Sequence, residues 1–244
     1  MEKPNTTLRI DRLDGERLVL DGLGLARGFF LRDPSSIGAL SFDSLAGRGE
    51  RNQITTSDIE AINRTMRARS SHQWWEPVLN REQAWLSAID PALDLIVATD
   101  DEWRRARGEE LAAAALTAVI GDHRGPSVAT KVLHLKRPRL FPVLDDLVAV
   151  MLGVNMPGDA PTSRRIDIAV RLLLHLRGQG KDNAPQLLTI QSTLRAEGIE
   201  RPLVRILDAI LWFAHPAAGV PKVAREITVT AVMHGARAPH NRAT

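Results

Sequence analysis

The residues best suited to chemistry are concentrated between 121 and 150, GDHRGPSVATKVLHLKRPRLFPVLDDLVAV. Over 121–140 five cations (Arg124, Lys131, Lys136, Arg137 and Arg139) stand against one acid, Asp122, a net charge of +4. Residues 81–110 carry eight acids against four arginines, a net of −4. Such a polarised chain offers a basic patch to a polyanion, with a solvated charged face as the plainer alternative. Asp145 and Asp146 open the helix that follows. An acid in a first helical turn is favoured by the helix dipole whatever its function. Adjacent helical residues also point about 100° apart, which excludes a shared-proton pair.

Elsewhere the chemistry is thinner. Trp74 and Trp75 can stack on a base or anchor a helix joint, and Trp85, Trp103 and Trp212 fall at helical apolar positions. The seven histidines show no metal-ligand spacing such as HExxH. The glycines of 21–28 lack the Lys-Ser/Thr of a phosphate-binding loop, and no Gly-x-Ser-x-Gly elbow is present. No metal and no cofactor is expected.

Composition bounds the rest. The chain has 244 residues, 44% of them hydrophobic and 25% charged, enough for a sizeable core. It has no Cys, which excludes disulfides, thiolate catalysis, iron–sulfur clusters and Cys-ligated zinc. It has no Tyr either. Almost nothing then titrates between His and Lys, so a net charge of +3 lifts the pI to 9.8 without implying a basic protein. Arginine outnumbers lysine 27 to 5, and with abundant Ala this points to a GC-rich bacterial genome. The start lacks a secretory h-region, and the longest apolar run, 111–120, is too short to span a membrane. A cytoplasmic protein without a membrane partner is expected.

The elements that must position these residues are mostly helices. Residues 8–20 alternate apolar and polar around Asp14-Gly15 and predict a β-hairpin. The Gly- and Ser-rich stretch 21–55 reads as irregular, with room for one short strand or helix. Helices are predicted from 56, around 81–98, from Asp100 to 120, and at 126–136, 142–153, 162–178, 184–197 and 202–214. A short strand is possible at 226–233, before a basic end. The organisation expected is an N-terminal hairpin and extension (1–50), a helical domain (51–216) and a basic C-terminal extension (217–244).

One stretch resembles a known superfamily. Over about 110–153 the glycine turn with Gly125, Val128-Ala129 in the next helix, Pro138, then Pro142-Val143 before Asp145 resemble the helix-hairpin-helix DNA glycosylases, such as endonuclease III and 8-oxoguanine glycosylase. The resemblance implies a mainly α, helix-hairpin-helix glycosylase-like domain beside the small hairpin. It implies that backbone amides at the turn and helix start hold a DNA phosphate. Together with the local positive charge, this makes His123, Arg124, Gly125, Ser127, Lys131, Lys136, Arg137 and Arg139 the candidate nucleic-acid-binding residues. It also implies that Asp145 is the catalytic carboxylate, stabilising a cationic sugar or positioning water. This sequence departs from the family pattern. His123 and Asp122 replace the first glycine and the proline of the hairpin, and Asp145 falls one residue late. Ser127 stands where bifunctional members keep a Schiff-base lysine. The segments KRPRLFPVLDDLV and ITTSDIEAINRTM also resemble an uncharacterised actinobacterial family of unknown function. The expected function is therefore non-sequence-specific nucleic-acid binding, with monofunctional glycosylase action on a damaged or modified base as an added step. The other reading is a non-catalytic structural or protein-interaction protein that keeps the fold without an active site. The oligomeric state is left open.

Overall fold

The computed structural model describes residues 5–31, 38–156, 159–218 and 229–230. The chain starts with an antiparallel hairpin, β1 (Thr7–Asp11) and β2 (Arg17–Asp21), joined through Gly15 at φ 90°. Its burial alternates as the sequence does, with Leu8, Ile10, Leu18 and Leu20 inward. A two-residue strand, β3 (Val229–Thr230), pairs antiparallel with β2. The remainder of the expected 226–233 strand, and most of the basic C-terminal extension, lies outside the described residues.

The stretch 21–55 holds more helix than its composition suggests. It forms α1 (Gly22–Phe30), whose N-terminus is capped by the Asp21 carboxylate accepting from the Gly24 N–H at 3.0 Å, and α2 (Gly38–Asp43). The glycines here serve packing. A Cβ at Gly28 would run into the Phe213 ring, so the missing side chain lets α1 lie close against the last helix.

The helices that follow are α3 (Thr56–Met66), a 3-10 turn (His72–Trp75), α4 (Glu76–Leu79) and α5 (Ala84–Ser87). Next come α6 (Asp100–Arg105), α7 (Gly108–Val119), α8 (Pro126–Lys136) and α9 (Asp146–Met151). The series ends with α10 (Thr162–Asp182), α11 (Ala184–Ala196) and α12 (Leu203–Ala214). The fold is mainly α with an N-terminal β-hairpin. One hydrophobic core runs from Leu8 and Phe29 through Leu116 and Leu133 to Leu207 and Ile210, all almost fully buried.

Several helix expectations are corrected. In place of a helix over 81–98 there is the single turn α5 and then a non-helical segment. The Asp94 carboxylate accepts there from the Ile96 and Val97 amides at 2.9 and 3.0 Å, and Arg177 donates to the Leu95 carbonyl at 2.6 Å. Side chains thus replace the hydrogen bonds of a helix. The expected helix 100–120 breaks at Arg107, in the left-handed region at φ 51°; its first half starts at Asp100 as expected and is capped by Thr99 with Glu102. The helix predicted from 142 begins at Asp146, because the Val143 and Leu144 amides donate to the Asp208 carboxylate and to Thr130 Oγ1, at 2.7 and 3.0 Å. The expected stop at 178–180 is absent: α10 continues to Asp182, where Gly180 makes room for the Ile96 side chain.

Candidate functional site

α7 and α8 are joined by a tight turn closed by two backbone hydrogen bonds, Gly121 N–H to the Arg124 carbonyl at 3.0 Å and Arg124 N–H to the Gly121 carbonyl at 3.1 Å. Gly125 is the N-cap of α8 and Pro126 its first residue, with φ preset and no N–H to leave unbonded. The next two amides, Ser127 and Val128, have no acceptor among the described residues. They are the open donors of a helix N-terminus.

The cations of 121–140 do not form the exposed basic face expected from the sequence. Arg124 is buried: it donates to the Val119 carbonyl at 2.7 Å and lies over the Trp75 ring at 5.5 Å. Lys136 is buried, paired with Asp58 at 2.5 Å and bonded to the Glu50 carbonyl at 2.8 Å. Arg137, 1% exposed, donates to the Ile89, Arg51, Lys136 and Leu86 carbonyls and to Asn52 Oδ1, at 2.6–3.0 Å. Its N–H donors satisfy four backbone carbonyls and one side-chain amide oxygen, and gather the segments 51–52, 86–89 and 136 around one guanidinium. Lys131 is also buried, with Nζ 3.2 Å from Ser127 Oγ. Among these positions His123 and Arg139 are exposed, and Gly125 and Ser127 half-buried.

Asp145 is half-buried and caps α9, accepting from the Val148 N–H at 3.0 Å. Burial raises its carboxyl above the ordinary range, against the pull of the Val148 amide and of Lys131. Asp146, exposed, turns instead to a cleft of about 150 Å³ between the start of α8 and α10. Ser127, Val128, Met156, Arg165 and Ile168 line it as well. Beneath it, burial lowers the Lys131 pKa, opposed by Asp145 and Asp146.

A second group was legible only as separate letters. His123 stacks on half-buried Trp74, centroids 5.3 Å apart and planes 24° apart. Arg64, Arg67 and Arg69 are exposed and make no ion pair or side-chain hydrogen bond among the described residues. Arg67 and Arg69 hold left-handed backbone at φ 48° and 50°. The loop between them and Trp74 is fixed by Asn63, which accepts from the Ser70 N–H at 2.8 Å and donates to the Ser70 carbonyl at 2.7 Å. The Trp75 Nε1–H donates to Ser70 Oγ at 2.6 Å. Trp75 in turn lies under Arg124, which brings the arginine loop beside the 121–124 turn. The signal for this group was the run of arginines before the aromatic pair. The contact with His123, about 50 residues on in the chain, left no local trace.

Among the described residues no helix is long and apolar enough to cross a membrane. No curated protein and no solved structure matches the chain, so the resemblance to the glycosylases gains no support there. The resemblance to a family of unknown function stands: residues 24–215 match the model described as "Family of unknown function (DUF6308)", and the chain belongs to that family.

Proposed function

We propose that this protein is a cytoplasmic nucleic-acid-binding protein without sequence specificity, using the face made by the end of α3, the 67–71 loop and the 121–124 turn. The observation that carries this reading is the exposed His123 stacked on Trp74, with Arg64, Arg67 and Arg69 of the adjoining helix end and loop exposed and without an ion pair among the described residues. A flat aromatic edge next to free guanidinium groups suits stacking on an unpaired base while phosphates are held by charge. Left-handed backbone at a non-glycine residue costs about 1–2 kcal/mol. Two such residues in three, Arg67 and Arg69, are in keeping with a loop kept for what it presents. Base excision forms no part of the proposal, since Asp145 is engaged in capping α9.

Binding of single-stranded and duplex oligonucleotides, followed by fluorescence anisotropy across salt concentrations, tests this. The expected result is log K falling linearly with log salt. In Arg67→Glu/Arg69→Glu the slope flattens by about two phosphate contacts, with thermal stability retained. Absence of salt-dependent binding by the wild type overturns the reading.

A further inference from the structure

The mouth of the α8–α10 cleft brings together groups that nucleic-acid binding does not use. Ser127 lines the cleft with its hydroxyl 3.2 Å from Lys131 Nζ, one helical turn deeper. Lys131 is only 8% exposed and has no carboxylate within ion-pair distance among the described residues. The other two buried or half-buried lysines of the helical core do have one: Lys136 pairs with Asp58, and Lys181 with Asp100. The amides of Ser127 and Val128 are open at the same helix end, and Val128, Met156 and Ile168 supply an apolar wall.

From this cluster of nucleophile, buried amine, open amides and apolar cleft we infer that Ser127 and Lys131 form a serine–lysine catalytic pair acting on a small acyl ester. Lys131 Nζ, deprotonated, takes the proton of Ser127 Oγ as that oxygen bonds to the ester carbonyl carbon. The carbonyl π-electrons move to the oxygen, and the resulting oxyanion faces the two open N–H groups of Ser127 and Val128. When the tetrahedral intermediate collapses, the C–O bond to the alcohol breaks and the leaving oxygen takes the proton from the Lys131 ammonium. An acyl-Ser127 ester remains. Water then repeats the sequence, giving its proton to Lys131, and releases the carboxylic acid and the free serine. Burial lowers the pKa of Lys131 against the opposing pull of Asp145 and Asp146, which favours the amine form this scheme needs. The volume, about 150 Å³, suits an acyl chain of a few carbons.

The test is labelling with a fluorophosphonate, located by intact mass and peptide mapping, together with p-nitrophenyl butyrate hydrolysis. The expected result is one adduct, on Ser127, and hydrolysis that Ser127→Ala abolishes. In Lys131→Met labelling should slow on the order of 10²-fold. Lys131→Arg is a second variant should the methionine protein fail to fold, because it keeps a cation near Ser127 that does not give up its proton. No adduct on Ser127 in the wild type overturns the proposal, as do adducts scattered over several serines. Labelling of either folded Lys131 variant at the wild-type rate also overturns it.

Discussion

The link after α8 and the loop after α3 contain the same kind of residue in opposite situations. At the end of α8 and the start of that link, Lys136 and Arg137 are buried and bonded to backbone carbonyls, an amide oxygen and Asp58. In the last turn of α3 and the loop after it, the side chains of Arg64, Arg67 and Arg69 stand in solvent without partners among the described residues. The sequence places its greatest local surplus of positive charge at the first, yet those charges act inside the fold. The difference teaches that a cation's role follows from the carbonyls and carboxylates the fold brings to it. Charge density along the chain does not report this. A guanidinium suits the inward role, since its planar fork gathers several carbonyls without needing a counter-ion on each.

The largest test of that contrast is Arg137→Ala. It strips the Ile89 and Lys136 carbonyls of a buried donor, removes three further bonds and leaves a cavity, and should cost about 3–5 kcal/mol in urea unfolding, or prevent folding. Arg139→Ala, two residues on and exposed, should stay within about 0.5 kcal/mol. Equal losses from the two would erase the distinction between inward and outward cations.

A second test concerns the neighbouring His134, on the same helix as Lys136. Its ring is fully buried, stacked on Phe42 at 5.5 Å, with Nδ1 2.7 Å from the Phe141 carbonyl. Burial, helped by Arg205, lowers its pKa from 6.5 to about 4. Below pH 6.5 the unfolded chain binds a proton that folded His134 refuses until about pH 4. Stability is therefore lost as pH falls through that window, by about 3 kcal/mol for this residue. Asp208 acts in the opposite sense. Burial raises it to about 7 even though it pairs with Arg205 and accepts from the Val143 N–H at 2.7 Å. The histidine's share is isolated by His134→Gln. Relative to the wild type, the variant's unfolding free energy should rise by about 3 kcal/mol between pH 7 and pH 4. A difference that does not change with pH rules out the buried neutral histidine.

The smallest effect is expected at the loop itself. Arg67→Gly relieves a left-handed residue at φ 48° and should stabilise the protein by up to about 1 kcal/mol in thermal unfolding. Oligonucleotide affinity should weaken in the same variant. A gain in stability with no loss of affinity would separate the strained backbone from binding and remove that support for the proposed face.

Much of the fold was legible. The hairpin follows from alternation around Asp14-Gly15, and α3, α8, α11 and α12 lie within a residue or two of where apolar period and cap residues put them. Glycine was misread as a helix breaker. Around 22–28 and at 180 it permits a close approach between elements, and there the helix continues. The helix expected around 81–98 is absent beyond one turn, because Asp94 and Arg177 hold the second half of that segment in another form. Of the candidate site, Asp145 was correctly placed at a helix start, and Ser127 and Lys131 were named as phosphate contacts. Their i,i+4 pairing lies within one sequence window, but the cleft beside them depends on α9 and α10 packing near the first turn of α8, which no window contains.

By itself the sequence determined a helical, cysteine-free chain with a hairpin at one end, because periodicity, capping and composition act over a few neighbouring residues. Only the tertiary structure decided which cations are buried and which face water, which carbonyls Arg137 binds, and that His123 meets Trp74. The reason is physical: burial and pairing are properties of the space between elements, and residues far apart in the chain supply the partners.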